Sequence, residues 1–290
     1  MLFRKLRLER ECLRRRLNTT PNEADVGVVP APGVAPEESG VGAIARWFNH
    51  FPEPHMTGLS AGQGPNGFFQ PSHNLFRRLL GHFDCGLRIL DLGCGYGEDA
   101  VVLSGDSNQV WGIDIAQQRV AAAEATVAKA KRSDRVFISK MDVHNMQFED
   151  AFFDLIVANS FLMWVNKARA VAECHRVLKP GGRAVFSCET MAENPFLKLH
   201  RYRPSMRARE NLVSRVTPEE VKELSARFSS TVWERFYLLS PMFYPLALYM
   251  PKSKAVHGLI KGMQSLDRVI LRRYQKLRRY AWLSVIEFRK

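Results

Sequence analysis

A strand-like apolar run that ends in a glycine-rich turn lies at residues 88–97, RILDLGCGYG. Ile89, Leu90 and Leu92 form the continuous apolar run expected of a strand that is buried on both faces of a parallel sheet. The three glycines that follow have no Cβ atom, so a ligand can approach the backbone closely. The segment therefore predicts a nucleotide-binding turn in an α/β fold.

The residues after this turn argue against a phosphate-bearing cofactor. A dinucleotide fingerprint needs a glycine at the last position of Gly-x-Gly-x-x-Gly, but Glu98 stands there and Asp99 follows. Because two acids at a helix N-terminus would repel a pyrophosphate, a nicotinamide dinucleotide is disfavoured.

Two further apolar runs are each associated with an acid at their end. The run 109–115 contains Asp114, close to the offset of about 20 residues at which an acid meets a ribose in nucleotide-binding α/β units. The run 135–140 is followed by Asp142. We expect these two acids and Asp91 to converge on one cleft.

This ordered series resembles the motifs of the class I S-adenosylmethionine-dependent methyltransferases, and loosely those of the broad type 11 group. Residues 91–97 are similar to the first motif, 152–159 to the fourth strand, and 178–188 to the turn and strand that come fifth. The resemblance implies S-adenosylmethionine as cofactor, with Asp114 on the ribose and Asp142 with the Val143 N–H on the adenine. Asn159 ends the fourth strand, where ligands of open α/β sheets bind. The predicted cofactor-binding residues are Asp91, Gly93, Cys94, Gly95, Asp114, Ile115, Asp142, Val143 and Asn159.

The expected fold is a Rossmann-like, doubly wound α/β sheet of seven strands, mostly parallel with one antiparallel edge strand. Residues 231–239 and 282–288 supply the last two strands. Residues 1–42 are predicted to be a disordered, basic, Pro/Gly-rich tail, and 43–290 to be the methyltransferase domain. Within that domain, 43–83 would form N-terminal lid helices, and 240–280 a helical and aromatic substrate cap inserted before the last strand.

Specific expectations attach to the lid and the cap. Ser72 is predicted to cap a lid helix, and Phe68 and Phe69 to pack in the core or against the cofactor's sulfonium or adenine. Residues 258–280 are predicted to form a basic helix, whose apolar side docks on its own domain or lies on an anionic membrane surface. The inward residues of the lid helix are predicted to be Leu75, Leu79, Leu80 and Phe83. The apolar side of the basic helix is predicted to contain Leu259, Met263, Leu266, Ile270 and Leu277.

The charge of the chain is concentrated at its two ends. Residues 1–16 carry a net +5 and residues 252–290 a net +9, against +13 for the whole chain. The middle is therefore close to neutral and is not itself a basic nucleic-acid surface. The ends are either solvated charged faces or a means of contacting an anionic surface or substrate.

Catalysis of methyl transfer requires little covalent chemistry, so no catalytic residue is identified from the sequence. A general base would help if the acceptor is a hydroxyl, and His144 is the candidate, ahead of His50, His55 and His73, each of which also fits a packing or surface role. The five cysteines form no Cys-x-x-Cys pair and are interpreted as reduced thiols, with no metal site.

The predicted function is methyl transfer from S-adenosylmethionine to O, N or C of a small-molecule or lipid- or sugar-linked acceptor. The alternatives are an RNA methyltransferase that uses the basic ends, although nucleic acid is disfavoured, and a non-catalytic cofactor-binding module. No run of 18 apolar residues and no signal h-region is present, so we expect a cytoplasmic monomer or homodimer, with peripheral membrane contact through the basic C-terminal helix as an option.

Overall fold

The computed structural model describes residues 41–50, 68–80, 86–195 and 212–290. The predicted tail lies outside these residues, except that Val41 and Gly42 belong to a helix. Cys12, Cys85, His55 and Phe83 also lie outside the described residues.

Helices and strands alternate through most of the described chain. The helices are α1 (Val41–His50), α2 (Gln70–Leu80), α3 (Glu98–Ser104), α4 (Gln117–Lys129), α5 (Lys167–Val177), α6 (Pro218–Ser225), α7 (Tyr244–Tyr249) and α8 (Lys254–Arg273). The strands are β1 (Arg88–Leu92), β2 (Gln109–Asp114), β3 (Val136–Lys140), β4 (Phe153–Asn159), β5 (Leu178–Thr190), β6 (Ser230–Phe236) and β7 (Leu283–Arg289). Short 3₁₀ helices span Val143–Asn145, Leu162–Trp164, Ser240–Phe243 and Gln275–Tyr280.

The strands form one seven-stranded sheet in the order β3-β2-β1-β4-β5-β7-β6. The first five strands pair in parallel, and β7 pairs antiparallel with both β5 and β6. The predicted seven-stranded, mostly parallel α/β fold is confirmed. The antiparallel strand β7 lies one position in from the edge, which β6 occupies.

The core lies on both faces of the sheet. Leu90 and Leu92 belong to one buried apolar cluster, whereas Ile89, between them on the other face, belongs to a second cluster. All three are at most 1% exposed. The continuous apolar run therefore arises because helices cover both sides of β1.

The lid helix α2 begins two residues before the predicted cap. Pro71 occupies its first turn, where a missing N–H costs nothing and the fixed φ of proline suits a helix. Ser72 thus lies inside the helix, and its hydroxyl donates to the Phe69 carbonyl at 3.0 Å. Leu75 and Leu80 are buried as predicted, and Leu79 is partly buried.

The basic helix α8 docks through a face rotated from the predicted one. Leu259 and Leu266, predicted to face inward, are 44% and 45% exposed. The predicted face consisted only of apolar residues, whereas the observed buried face includes two polar residues that make buried hydrogen bonds. The buried face contains Val256, Ile260, Gln264, Asp267 and Leu271.

The chain between β6 and β7 begins and ends at one edge of the sheet. Phe236, the last residue of β6, pairs with Leu283, the first residue of β7. Because β6 is parallel to β1–β5, this is the edge at which the carboxyl ends of those strands lie. The inserted helices α7 and α8 are therefore connected to the ligand-binding edge of the α/β sheet.

None of the helices in the described ranges is both long enough and apolar enough to cross a bilayer.

Candidate functional site

The glycine turn after β1 has a backbone that requires glycine. Gly93, Gly95 and Gly97 have φ values of 64°, 55° and 77°. A Cβ atom on Gly93 would lie 2.8 Å from the ring of Phe161, at the end of β4. The turn is held against β2 because the Cys94 N–H donates to the Ile113 carbonyl at 3.0 Å.

Asp114 connects the end of β2 to this turn. One carboxylate oxygen accepts the N–H of Gly95 at 3.1 Å, and the other accepts the N–H of Ala116 at 2.9 Å. Burial raises the pKa of Asp114, and these hydrogen bonds together with the charge of Arg119 oppose that rise. The side chain is 6% exposed, so its position is fixed before any ligand binds.

Asp91 is a buried carboxyl group whose hydrogen-bonding capacity the described residues do not satisfy. It is 5% exposed, and its Oδ2 has no hydrogen-bond partner within the described ranges. Burial raises its pKa well above the usual value, and repulsion by Asp99 and Asp114 adds to the effect. Because a buried unpaired carboxylate is costly, this arrangement suits a ligand that brings a positive charge or hydrogen-bond donors.

Asp142 follows β3, the neighbour of β2 in the sheet. The Met141 N–H donates to the Asp114 carbonyl at 3.1 Å, so the two acidic residues follow adjacent strand ends. Asp142 Oδ1 accepts the backbone N–H of His144 at 2.9 Å and lies 2.7 Å from His144 Nδ1. Its side chain is 40% exposed, which leaves the carboxylate accessible to a ligand.

His144 has both ring nitrogens engaged. Nδ1 donates to Asp142, and Nε2 accepts the N–H of Asn166 at 3.0 Å, at the start of α5. The ring is 7% exposed. With its basic lone pair occupied, His144 as placed cannot take a proton from an acceptor without breaking a hydrogen bond, and it acts to orient Asp142.

The remaining predicted cofactor residues occupy the same edge of the sheet. Val143 is buried in the core and begins a 3₁₀ helix, and Ile115 is partly buried directly after β2. Asn159 ends β4, and its side-chain oxygen accepts a hydrogen bond from the Ser187 hydroxyl at 2.9 Å. The register of the parallel strands thus brings the predicted residues of β1, β2, β3 and β4 to a single edge.

Arg119 belongs to this edge and was not identified from the sequence. It lies in the first turn of α4, 9% exposed, and its guanidinium carbon is 3.9 Å from the centroid of the Phe48 ring of α1. Phe48 also contacts Trp164, with ring centroids 4.8 Å apart. Helix α1 is thereby held beside Asp114. The sequence signal for this residue was an arginine shortly after the acid that ends β2.

Glu189 near the end of β5 is a second residue that sequence reasoning missed. It is fully buried, and its two carboxylate oxygens accept the N–H groups of Phe161 and Leu162 at 2.9 and 3.0 Å. Burial raises its pKa to about 7. Ser160 and Cys188, neighbours of these residues, have φ values of 52° and 54°. Such strained backbone collects at functional sites.

Phe68 and Phe69 belong to an aromatic cluster with residues of the insertion. Phe68 is fully buried, and its ring centroid lies 5.0 to 5.9 Å from those of Tyr237, Tyr244 and Trp282. Two roles were predicted for this pair, and the one observed is packing in the core.

Within the described residues, the other candidates for catalysis or metal binding do not form a second site. His73 is buried within α2, and the side chain of His50 lies outside the described residues. In the described ranges, no group of three His, Cys, Asp or Glu residues is placed to hold a metal ion. Burial, with Asp91 and Asp114 nearby, raises the pKa of the Cys94 thiol well above its usual value.

Comparison with known proteins agrees with this geometry. Residues 90–186 match the family model described as a methyltransferase domain. The chain is 30% identical over 121 residues to a demethylmenaquinone methyltransferase of Lactiplantibacillus plantarum, covering 40% of this chain and 51% of the relative. It is 32% identical over 112 residues to a 27-O-demethylrifamycin SV methyltransferase of Amycolatopsis mediterranei, covering 38% and 41%. The chain thus spans about half the length or less of these curated relatives.

Solved structures show the same fold at lower identity. A geranyl diphosphate methyltransferase in complex with GPP and sinefungin superposes with a TM-score of 0.57 at 17% identity, covering 88% of this chain and 99% of that one. The phosphoethanolamine N-methyltransferase 2 of Haemonchus contortus, in complex with S-adenosyl-L-methionine, gives 0.54 at 18% identity, covering 87% and 56%.

Proposed function

We propose that this chain, which carries a class I S-adenosylmethionine-dependent methyltransferase domain, transfers a methyl group from that cofactor to O, N or C of a small-molecule or lipid- or sugar-linked acceptor. The observation that carries the proposal is the acidic edge of the sheet. Asp91 and Asp114 are buried beside a glycine turn, and no cation of the described residues forms a salt bridge with either.

The residues of this edge fit the cofactor chemically. S-adenosylmethionine has a positive sulfonium and an α-amino group, two ribose hydroxyls and no phosphate. The Oδ2 of Asp91, which has no hydrogen-bond partner among the described residues, offers an acceptor for the amino group. Asp114, held by Gly95 and Ala116, would accept from the ribose hydroxyls. Asp142, oriented by His144, would accept from the adenine amine.

The cofactor supplies, when bound, a methyl group already activated for transfer. The protein's contribution is then to hold the acceptor atom in line with that methyl group and to exclude water. Helix α1, fixed through Phe48 against Arg119 and Trp164, would cover the cleft. The insertion between β6 and β7 would act as the acceptor cap, because it starts and ends at the cofactor edge.

Small-molecule acceptors are supported by the curated relatives, which include a demethylmenaquinone methyltransferase and a 27-O-demethylrifamycin SV methyltransferase. The exposed surface of the insertion adds support for a lipid-linked acceptor. Met242, Leu248 and Tyr249 are 60%, 51% and 87% exposed, and the exposed Lys252 and Lys254 lie close by in the chain. Apolar side chains next to lysines favour peripheral contact with an anionic membrane.

Membrane contact can be measured by co-sedimentation with vesicles of phosphatidylcholine, with and without phosphatidylglycerol. We expect binding to the anionic vesicles and its loss in the Leu248→Ser/Tyr249→Ser variant. Equal sedimentation of the variant would remove the insertion from this role.

The activity is tested with calorimetry and an acceptor panel. We expect S-adenosylhomocysteine to bind, nicotinamide dinucleotides not to bind, and mass spectrometry to detect a methylated product from a quinol, phenol or lipid-linked acceptor. Cofactor binding without any product would indicate the non-catalytic module. Methylation of RNA that falls steeply with salt, as phosphate contacts require, would indicate the nucleic-acid alternative.

A further inference from the structure

A cavity of about 300 Å³ lies between α2, β6 and α8. Strand β6 is the outermost strand, at the opposite end of the sheet from β1, β2 and β3. The lining includes two acids, Glu234 and Asp267, and five arginines, so its ionisable side chains carry a net charge of +3. The arginines are Arg78, Arg235, Arg268, Arg272 and Arg278.

The two acids of the lining form no salt bridge with its arginines in the described residues. Asp267 is 2% exposed, and its carboxylate accepts the N–H groups of Leu238, Leu239 and Ser240 at 2.8 to 3.1 Å. Glu234 is exposed at the edge of the sheet. Within residues 41–50, 68–80, 86–195 and 212–290, no salt bridge joins a carboxylate to any of the five.

Two of the guanidinium groups are held in place. Arg235 stacks on Trp233, with its guanidinium carbon 3.2 Å from the centroid of the ring, and its buried Nε has no partner in the described part of the chain. Arg278 donates through Nε to the Leu271 carbonyl at 2.7 Å. Burial and the charge of Arg278 lower the pKa of Arg235 to about 10, and the charge of Glu234 opposes the shift only in part. Like charges therefore lie near one another in a lining whose net charge is positive.

We propose that this cavity binds a phosphate-bearing ligand. Guanidinium groups match phosphate oxygens in pairs of parallel hydrogen bonds, and an anion between Arg235 and Arg278 would relieve their repulsion. The volume is at the lower end for ligand pockets, which suits a phosphate or diphosphate group with a small attachment. The ligand is either a soluble phosphorylated compound or the headgroup of an anionic lipid. The proposal does not rest on methyl transfer, because the cavity is formed by other strands than the cofactor edge.

The test uses the full chain and inorganic pyrophosphate as the probe, by isothermal titration at about 0.1 M salt, where surface charges are partly screened. The Arg268→Ala/Arg272→Ala variant removes two positive charges of α8 that line the cavity. The matched control, Lys261→Ala/Arg273→Ala, removes two exposed positive charges of the same helix that do not line it. Circular dichroism and urea unfolding check that both variants are folded.

We expect pyrophosphate to bind the wild type, with affinity at least about tenfold lower in the cavity variant and close to wild type in the control. S-adenosylhomocysteine should bind all three proteins equally, which separates failure here from failure of the proposed activity. Absence of pyrophosphate binding to the wild type, or an equal loss in the two variants, would overturn the proposal.

Vesicles distinguish the two sources of phosphate. Phosphatidylcholine vesicles containing phosphatidic acid are sedimented with each protein, with and without pyrophosphate. Binding that pyrophosphate displaces and that only the cavity variant loses identifies a lipid headgroup. Equal vesicle binding by the three proteins, together with the calorimetric difference, identifies a soluble ligand.

Discussion

The two ends of the sheet carry excess charge of opposite sign. At the β1–β2 end, Asp91 and Asp114 are buried beside the glycine turn; burial raises the pKa of Asp91, and repulsion by Asp99 and Asp114 adds to the rise. At the β6 end, Arg235 and Arg278 line one cavity, and burial of Arg235 and repulsion by Arg278 lower the pKa of Arg235. In a folded chain, charges are normally paired when they are removed from water. Where they are not, the sign of the excess indicates the charge of a ligand that would suit the site.

The two ends also differ in how a charged side chain is held in place. Asp114 is fixed by the N–H of Gly95 in the turn and by the N–H of Ala116 after its own strand, so its position depends on β1 and β2 being neighbours. Arg235 is fixed by stacking on Trp233, two residues away in its own strand. The acidic end is therefore a property of the fold, whereas the basic end is a property of this particular insertion and edge strand.

The most severe test of the acidic end is Asp114→Ala. Losing the hydrogen bonds from Gly95 and Ala116, and the acceptor for the ribose, should lower the affinity for S-adenosylhomocysteine at least about 100-fold, since each charged hydrogen bond contributes roughly 1.5–3 kcal/mol. Calorimetry measures this directly. The matched control is Glu124→Ala, an exposed acid of α4, which should bind as wild type.

The same variant tests whether the two ends are independent. Asp114→Ala should leave pyrophosphate binding unchanged, because the arginine-lined cavity shares no strand with the glycine turn. If Asp114→Ala bound neither S-adenosylhomocysteine nor pyrophosphate, the substitution would have disrupted the whole fold, and the two ends could not be treated as independent.

Glu189, on β5 between the two ends, provides a pH test. Its ordinary pKa of 4.5 rises to about 7 in the folded protein because it is buried, so the folded state binds the proton more tightly than the unfolded state. Its contribution to stability is therefore complete below about pH 4.5 and is lost as the pH rises through about 7. Between about pH 5 and about pH 8 the loss should be roughly 2.5 kcal/mol.

Urea unfolding of the wild type and of Glu189→Gln at these two pH values measures the effect. The difference in unfolding free energy between the two proteins should change by that amount across the interval. Glu149→Gln, at an exposed position, should follow the wild type at both values. Parallel behaviour of wild type and Glu189→Gln would contradict the assignment.

The Gly93→Ala variant tests why the turn requires glycine at this position. A side chain there meets both a positive φ and the Phe161 ring at 2.8 Å, so we expect a destabilisation of about 2–3 kcal/mol in urea unfolding. Gly181→Ala is the control, because Gly181 has a similar φ of 76° but no atom of the described residues lies within 4 Å of the added Cβ. It should cost about 1 kcal/mol, and equal costs would remove the ring contact from the explanation.

The smallest expected effect concerns the connection between α2 and the insertion. The Tyr237 hydroxyl accepts the Ser72 N–H at 3.1 Å and lies 2.8 Å from the Ser72 hydroxyl. Tyr237→Phe should cost about 1 kcal/mol of stability in urea unfolding. Tyr249→Phe, at a tyrosine that is 87% exposed, should cost nothing measurable.

The acidic end could be predicted because its signals are local. A buried strand, a glycine turn and an acid at the next strand end lie in short, ordered segments, and parallel pairing brings them together without further information. The predicted first strand ended in the turn, as observed for β1, and Asp114 ends β2.

The basic end could not be predicted because its parts come from distant segments. Arg78, Arg235 and Arg278 are brought together only when α2 and the insertion pack on the edge strand. Glu189 was missed for a similar reason, since the N–H groups it accepts belong to residues 161 and 162. The face of α8 was misassigned because Gln264 and Asp267 are buried through hydrogen bonds to Phe68 and to residues 238–240, which helical periodicity does not encode.

The strand order has a consequence for how the molecule is assembled during synthesis. Strand β6 precedes β7 in the chain, yet it joins the sheet only through β7, which separates it from β5. While the ribosome is still adding the insertion, β1–β5 can already pair, whereas β6 has no neighbouring strand to bond with. The cofactor half can therefore form first, and the arginine cavity is completed only after residues 283–289 have emerged.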